Sequence, residues 1–182
     1  MMMNTKRTQL AAALSFAVLS AALLGAQAVT KETVPGIVNF SRVETTVACA
    51  GATTPAALSE VKRMGYASVV NLRLASEAGA EIEAEAAAAK AANLNYVHLP
   101  FNAAAPDPML VDNFLKALSD PKNQPAFIHC ASANRAAALW MIKRVELDKW
   151  DVDRASAEAA ALGLTSPALK TFVMDQIQAR KK

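Results

Sequence analysis

Residues Pro125 to Trp140 read PAFIHCASANRAAALW. Pro125 to His129 is a compact apolar run, with the length and composition of a strand covered on both faces. A tight loop follows from Cys130 to Arg135, and an apolar helix begins directly after it. Strand, loop and helix in this order predict a parallel α/β sheet, in which ligand sites lie beyond the carboxyl ends of strands.

The same alternation extends outward from this stretch. Upstream, Val43 to Ala48 is β-branched enough for a first strand, after a lead-in from Val29 to Ser41 with a Pro35-Gly36 turn signal. Gly51 to Thr54 reads as a loop, and Pro55 opens a helix to about Met64, which Gly65 ends. Ala67 to Leu72 and Asn95 to Pro100 are further short strands. Between them, Glu77 to Asn93 reads as an Ala-rich helix whose Glu81, Glu83 and Glu85 face water. Met109 to Leu118 has helical spacing, and His98 reads as a satisfied core histidine. Downstream of the loop only helices are predicted, over Arg135–Leu147, Val152–Leu162 and Ala168–Arg180. The expectation is α/β, with a mostly parallel sheet of about four strands flanked by helices and an all-helical C-terminal third.

The N-terminus carries a different signal. Lys6 and Arg7 precede an uncharged apolar stretch from Leu10 to Leu24, and Ala26-Gln27-Ala28 supplies a small-x-small cleavage pattern. Residues 1–28 thus read as a signal peptide and 29–182 as one α/β domain, periplasmic or secreted. The apolar stretch is short of the roughly 20 residues a membrane span needs, so no stable membrane insertion is expected after processing. Removing Lys6 and Arg7 lowers the net charge of the 182-residue chain from +3 to +1. No block of Lys and Arg remains to track a phosphate backbone, which argues against nucleic acid.

The residue types in the loop point to anion chemistry. A loop entering a helix N-terminus offers unpaired backbone N–H groups and the positive end of the helix dipole. That field favours a thiolate at Cys130, and Arg135 adds a permanently charged planar fork suited to two phosphate oxygens. The backbone of Ala131, Ser132, Ala133 and Asn134 would line the anion, with His129 hydrogen-bonding the loop. Asn71 and Arg73 close the neighbouring strand, where Arg73 either braces the loop or meets the anion. Two histidines without a third ligand make a zinc site improbable, and no cofactor is implied.

His129-Cys130 followed by Arg135 resembles the signature loop of the dual-specificity and tyrosine phosphatase superfamily, closest to its bacterial branch of small phosphatase-like proteins. The Asn71-Leu72-Arg73 strand end, the Tyr96-to-Pro100 strand and the helical tail fit that branch too. The resemblance implies hydrolysis of a phosphorylated small molecule or protein through a cysteinyl-phosphate intermediate on Cys130, without a metal. The sequence departs from the pattern at three points. Four residues rather than five separate Cys130 from Arg135, Ala133 occupies the place of a mid-loop glycine, and Asn102 stands near the place of the general acid. Asp107, on the same loop, is the candidate acid.

Two other readings stay open at this level. A cysteine loop of this length also resembles that of single-domain rhodaneses, although these continue with another strand. A catalytically weak phosphate-binding module would equally use the loop. Cys49 follows the first predicted strand and is a candidate disulfide partner for Cys130, as a staple or a redox switch.

Overall fold

The computed structural model describes residues 29–43 and 45–181; the signal-peptide reading lies outside the described residues. Six strands form one sheet: β1 (Thr30–Lys31), β2 (Ser41–Arg42), β3 (Val47–Ala50), β4 (Ser68–Asn71), β5 (Asn95–His98) and β6 (Ala126–His129), in the order β1-β2-β3-β6-β4-β5. The β3, β6, β4 and β5 ladders are parallel, and β1 and β2 add an antiparallel edge. Those four parallel strands are the expected ones, except that the first starts at Val47 rather than Val43 and runs to Ala50. The two-residue strands β1 and β2 are additional, because the lead-in folds back along β3 rather than running as coil.

Helices cover both faces. On one side lie α1 (Leu58–Arg63) and α2 (Ile82–Ala91), packed on Phe40, Tyr66, Val69 and Phe127. On the other lie α3 (Leu110–Ser119), α4 (Asn134–Glu146), α5 (Val152–Leu162) and α6 (Pro167–Arg180). Every residue of α4 from Ala136 to Ile142 is buried, as its apolar circumference requires. Small alanines let α4 sit against the sheet while α5 and α6 pack on its outer side. Trp140 donates its indole N–H to Glu158 at 2.6 Å, and Arg144 reaches the same carboxylate at 2.7 Å, so this buried charge is compensated.

Local sequence sets the helix ends. Asp151 caps α5 by accepting from the Arg154 N–H, and Gly163 ends it at φ 114°. Ser166 caps α6, with Pro167 at its first position. Helix α2 is shorter than the Glu77–Asn93 expected, because residues 77–81 form a turn that Arg73 holds. Glu85 is also not a solvated residue: it is buried, at 2% exposure, between α2 and the sheet. No helix among the described residues is long and apolar enough to cross a membrane.

Candidate active site

Strand β6 lies at the centre of the sheet, so its carboxyl end opens between those of β3 and β4. Cys130 is the next residue, and its N–H donates to the Ala50 carbonyl at 3.2 Å. The chain leaving β3 continues alongside the loop, where the Ala52 N–H donates to the Ala131 carbonyl at 2.9 Å. Gly51 makes this approach feasible. A Cβ there would stand 3.0 Å from the Ala131 carbonyl oxygen and 3.2 Å from the Ser132 Cα.

The second half of the loop is tied to the helical tail. Asn134 Oδ1 accepts from the Thr165 N–H at 2.8 Å and the Ser166 N–H at 3.0 Å, pinning the start of α4 to the α5–α6 turn. Between these anchors Ala133 takes φ 75°, the left-handed conformation that glycine adopts without cost. Ala133→Gly is therefore expected to stabilise the protein by about 1 kcal/mol, the relieved strain outweighing the flexibility glycine adds to the unfolded chain. A lower denaturation midpoint for the variant would contradict this reading of the loop.

Arg135 is oriented by a carboxylate that sequence reasoning missed. Its Nη1 and Nη2 donate to the two oxygens of Glu77 at 2.6 and 2.8 Å, and Nη1 also donates to the Phe101 carbonyl at 2.8 Å. This engages the far end of the guanidinium. The side-on pair, Nε–H and the second Nη2–H, is not used by these contacts; the guanidinium also hydrogen-bonds Cys130, so these donors lie where a nucleophile and an anion would meet. Burial alone would lower the Arg135 pKa, but contacts with Glu77 and Cys130 outweigh it and raise it above the ordinary value. Burial likewise works to raise Glu77, and the hydrogen bonds from Arg135, the Leu74 N–H and Arg73 overcome it, holding the carboxyl at about 2. Glu77 is thus an ionised acceptor at neutral pH and has no proton to give. A clue to it was its place four residues beyond Arg73, just past the end of β4.

Arg73 braces the site instead of meeting the anion. Its guanidinium donates to the Gly79 and Ala78 carbonyls at 2.7 and 2.6 Å and to Glu77 at 3.3 Å, which fixes the turn that presents Glu77. His98, from β5, donates its Nε2–H to the Arg73 carbonyl at 2.8 Å, as a satisfied histidine.

His129 is not part of the anion cradle. Successive side chains of a strand point to opposite faces, so the residue before Cys130 must face away from it. His129 stacks on Phe127 on the α2 side and meets Glu85 through Nε2 at 2.7 Å, while its Nδ1 is buried without a partner. Asn71 completes this network, donating to Glu85 and to the Tyr96 hydroxyl, both at 2.9 Å. The network underpins the carboxyl ends of β4 and β6 from behind.

Asp107 does not reach the cleft either. It is exposed, and its Oδ1 accepts from the Met109 N–H at 2.7 Å at the start of α3. The cleft beside Arg135, of about 450 Å³, is lined by Glu77, Phe101, Asn102, Ala103, Ser132 and Asn134 among others. Asn102 thus stands at the mouth where an acid was sought. Cys49 and Cys130 are both free and buried, and the candidate disulfide between them is not formed. Cys49 pairs in register with Ile128, two residues before Cys130. Strand spacing then puts their Cα atoms roughly 8 Å apart, beyond the ~7 Å that a disulfide spans without backbone movement. Burial, with Cys130 and Glu158 adding to it, pushes the Cys49 thiol up, so Cys49 is no nucleophile. Among the described residues no group of three or more His, Cys, Asp and Glu side chains is gathered as a metal site.

A mostly parallel sheet whose central strand delivers a cysteine into a loop closed by arginine, with helices only beyond it, defines the cysteine-phosphatase fold of the tyrosine and dual-specificity type. Within it, the chain belongs to the family of the phosphatase-like domain of beta-lactamase hydrolase-like proteins, whose family model matches residues 39–146. Solved structures share the fold at low identity. A DUF442 protein of Shewanella putrefaciens CN-32, described as a phosphatase, superposes with a TM-score of 0.67 at 20% identity, covering 80% of this chain and 94% of its own. Pseudomonas aeruginosa TpbA, in a variant bound to pTyr, gives 0.66 at 17% identity over 87% of this chain and 97% of its own. The core catalytic domain of a PP-IP phosphatase from S. cerevisiae gives 0.61 at 20% identity, covering 81% and 93%. No curated protein is significantly similar in sequence. The family match, and the absence of a strand after α4 among the described residues, separate the chain from the rhodanese reading.

Proposed function

We propose that this PTP-like phosphatase domain hydrolyses phosphate monoesters through a phosphorylated cysteine. The observation that carries the reading is the pairing of Cys130, at the end of β6, with an Arg135 guanidinium that Glu77 turns so that its side-on fork stays available. The Cys130 thiolate attacks phosphorus, the ester oxygen leaves with its electron pair, and the phosphoryl group is held as a cysteinyl phosphate. Water then attacks phosphorus, releasing inorganic phosphate and restoring the thiolate. Arg135 and the first N–H groups of α4 carry the charge on the equatorial oxygens at both steps.

The residues lining the cleft put a limit on the leaving group. Glu77 is ionised, Asn102 cannot donate a proton as an acid would, and Asp107 is turned away to the Met109 N–H. A positioned general acid is worth about 10²–10⁴ in rate. Esters whose oxygen departs as a weak base are therefore favoured. The reduced domain is expected to hydrolyse p-nitrophenyl phosphate and phenyl phosphate, and to turn over a simple alkyl phosphate at least about a hundredfold more slowly. Equal rates for aryl and alkyl esters would show that an acid acts; no turnover of p-nitrophenyl phosphate would leave a phosphate-binding module as the reading.

The domain is proposed to act outside the cytoplasm. Lys6 and Arg7, the apolar Leu10–Leu24 stretch and Ala26-Gln27-Ala28 support export with cleavage after Ala28. N-terminal sequencing of the exported protein is expected to begin at Val29, and a protein retaining residues 1–28 would argue for an uncleaved anchor.

A further inference from the structure

A second cavity, of about 540 Å³, adjoins the active-site cleft, and Ser132 and Asn134 border both. Apart from those two residues and the stretch from Asn39 to Ser41, its walls come from outside the family match at 39–146. The β1 segment supplies Lys31 and Thr33, and the α5–α6 turn supplies Leu162 and Thr165. The cavity is thus walled mainly by segments flanking the family match, set against the middle of the Cys130 loop.

Its chemistry is mixed and has one open charge. Glu32 lines it, but Arg42 holds that carboxylate at 2.9 and 3.4 Å. Among the described residues no carboxylate pairs with Lys31, so its ammonium is the uncompensated charge of the lining. Thr33, Asn39 and Thr165 add hydroxyl and amide groups, and Ile37 and Leu162 an apolar surface. Asn39 is held at φ 49°, a conformation uncommon outside glycine, with its amide donating to the Ser132 carbonyl at 3.4 Å. Backbone held this way recurs at ligand clamps. The size is that of a small-molecule site.

We infer that this cavity is the leaving-group subsite, and that it selects small phosphate esters whose leaving group carries a second anion, met by Lys31. The inference rests on the phosphomonoesterase reading above and adds the substrate class. The leaving oxygen stays at Cys130 while the rest of the leaving group passes Ser132 into the cavity. Its anion meets Lys31, and its ring or chain lies on Ile37 and Leu162.

Phenyl phosphate and 3-carboxyphenyl phosphate release phenols of similar basicity, so comparing them isolates the second anion. The native enzyme is expected to favour the carboxylate ester in kcat/KM. Lys31→Ala should lower that preference about fivefold, the worth of one exposed ion pair, and Lys31→Arg should retain it. An unchanged preference in Lys31→Ala would overturn the inference and leave the phosphatase reading intact. An acidic phosphopeptide hydrolysed far faster than either ester, without dependence on Lys31, would overturn it in favour of a protein substrate. Absence of turnover with both esters would sink the phosphatase reading instead. The subsite would then be judged by calorimetric binding of 3-carboxyphenyl phosphonate, where equal affinity of native and Lys31→Ala proteins rejects it.

Discussion

Replacing Cys130 with serine is expected to lower aryl phosphate turnover by at least about a thousandfold while leaving the fold in place. Serine is somewhat smaller than the buried Cys130, and its hydroxyl can keep the hydrogen bond with Arg135, so the fold is expected to hold. The chemistry is not conserved. A serine hydroxyl needs a base to become a nucleophile at neutral pH, and the site has none to offer. His129 is on the far face of the sheet with Glu85, and Glu77 is committed to Arg135 and Arg73. The variant should therefore still bind phosphate analogues and melt close to the native protein. Substantial turnover by a folded Cys130→Ser protein would remove cysteine chemistry from the account.

Arg135→Lys is the second large effect, expected to cost about a hundredfold or more in kcat/KM. Charge is retained, so a site that needed only a cation would tolerate the change. The structure requires more of this residue. One end of the guanidinium grips both oxygens of Glu77 and the Phe101 carbonyl, and the same group hydrogen-bonds Cys130; in the proposed reaction its side-on N–H pair holds the substrate. A lysine ammonium has three donors on one nitrogen and cannot serve two planar partners at once. Glu77 would then compete with phosphate for the single charge. Steady-state kinetics on the variant check this, and an activity within about threefold of native would show that the planar fork is not what binds the transition state.

The central strand, the loop and α4 were legible because local sequence decides them: an apolar run, a cysteine and arginine flanking small residues, then an alanine-rich helix. The parallel strands and the C-terminal helices were readable for the same reason, with Gly163 and Pro167 marking the breaks. What escaped depends on contacts far apart in sequence. Strands β1 and β2 exist only through pairing with β3, and nothing in Thr30–Lys31 or Ser41–Arg42 alone announces it. Glu85 looks like Glu81 and Glu83 in the sequence; it is buried because His129 and Asn71 meet it across the sheet. Glu77 was hidden by reading residues 77–81 as helix, when Arg73 holds them as a turn. The orientation of His129 was available in principle, since alternation along β6 sends it away from Cys130. The family pattern drew attention to His129, and geometry assigns it to the support behind the loop.

The most direct test of the account is to quench the reduced domain with acid during turnover of p-nitrophenyl phosphate and locate the phosphoryl group by peptide mass spectrometry. The account predicts one phosphoryl mass on the peptide containing Cys130, absent from the Cys130→Ser protein. Turnover with no phosphoryl group on that peptide, or with the group on another residue, would contradict it.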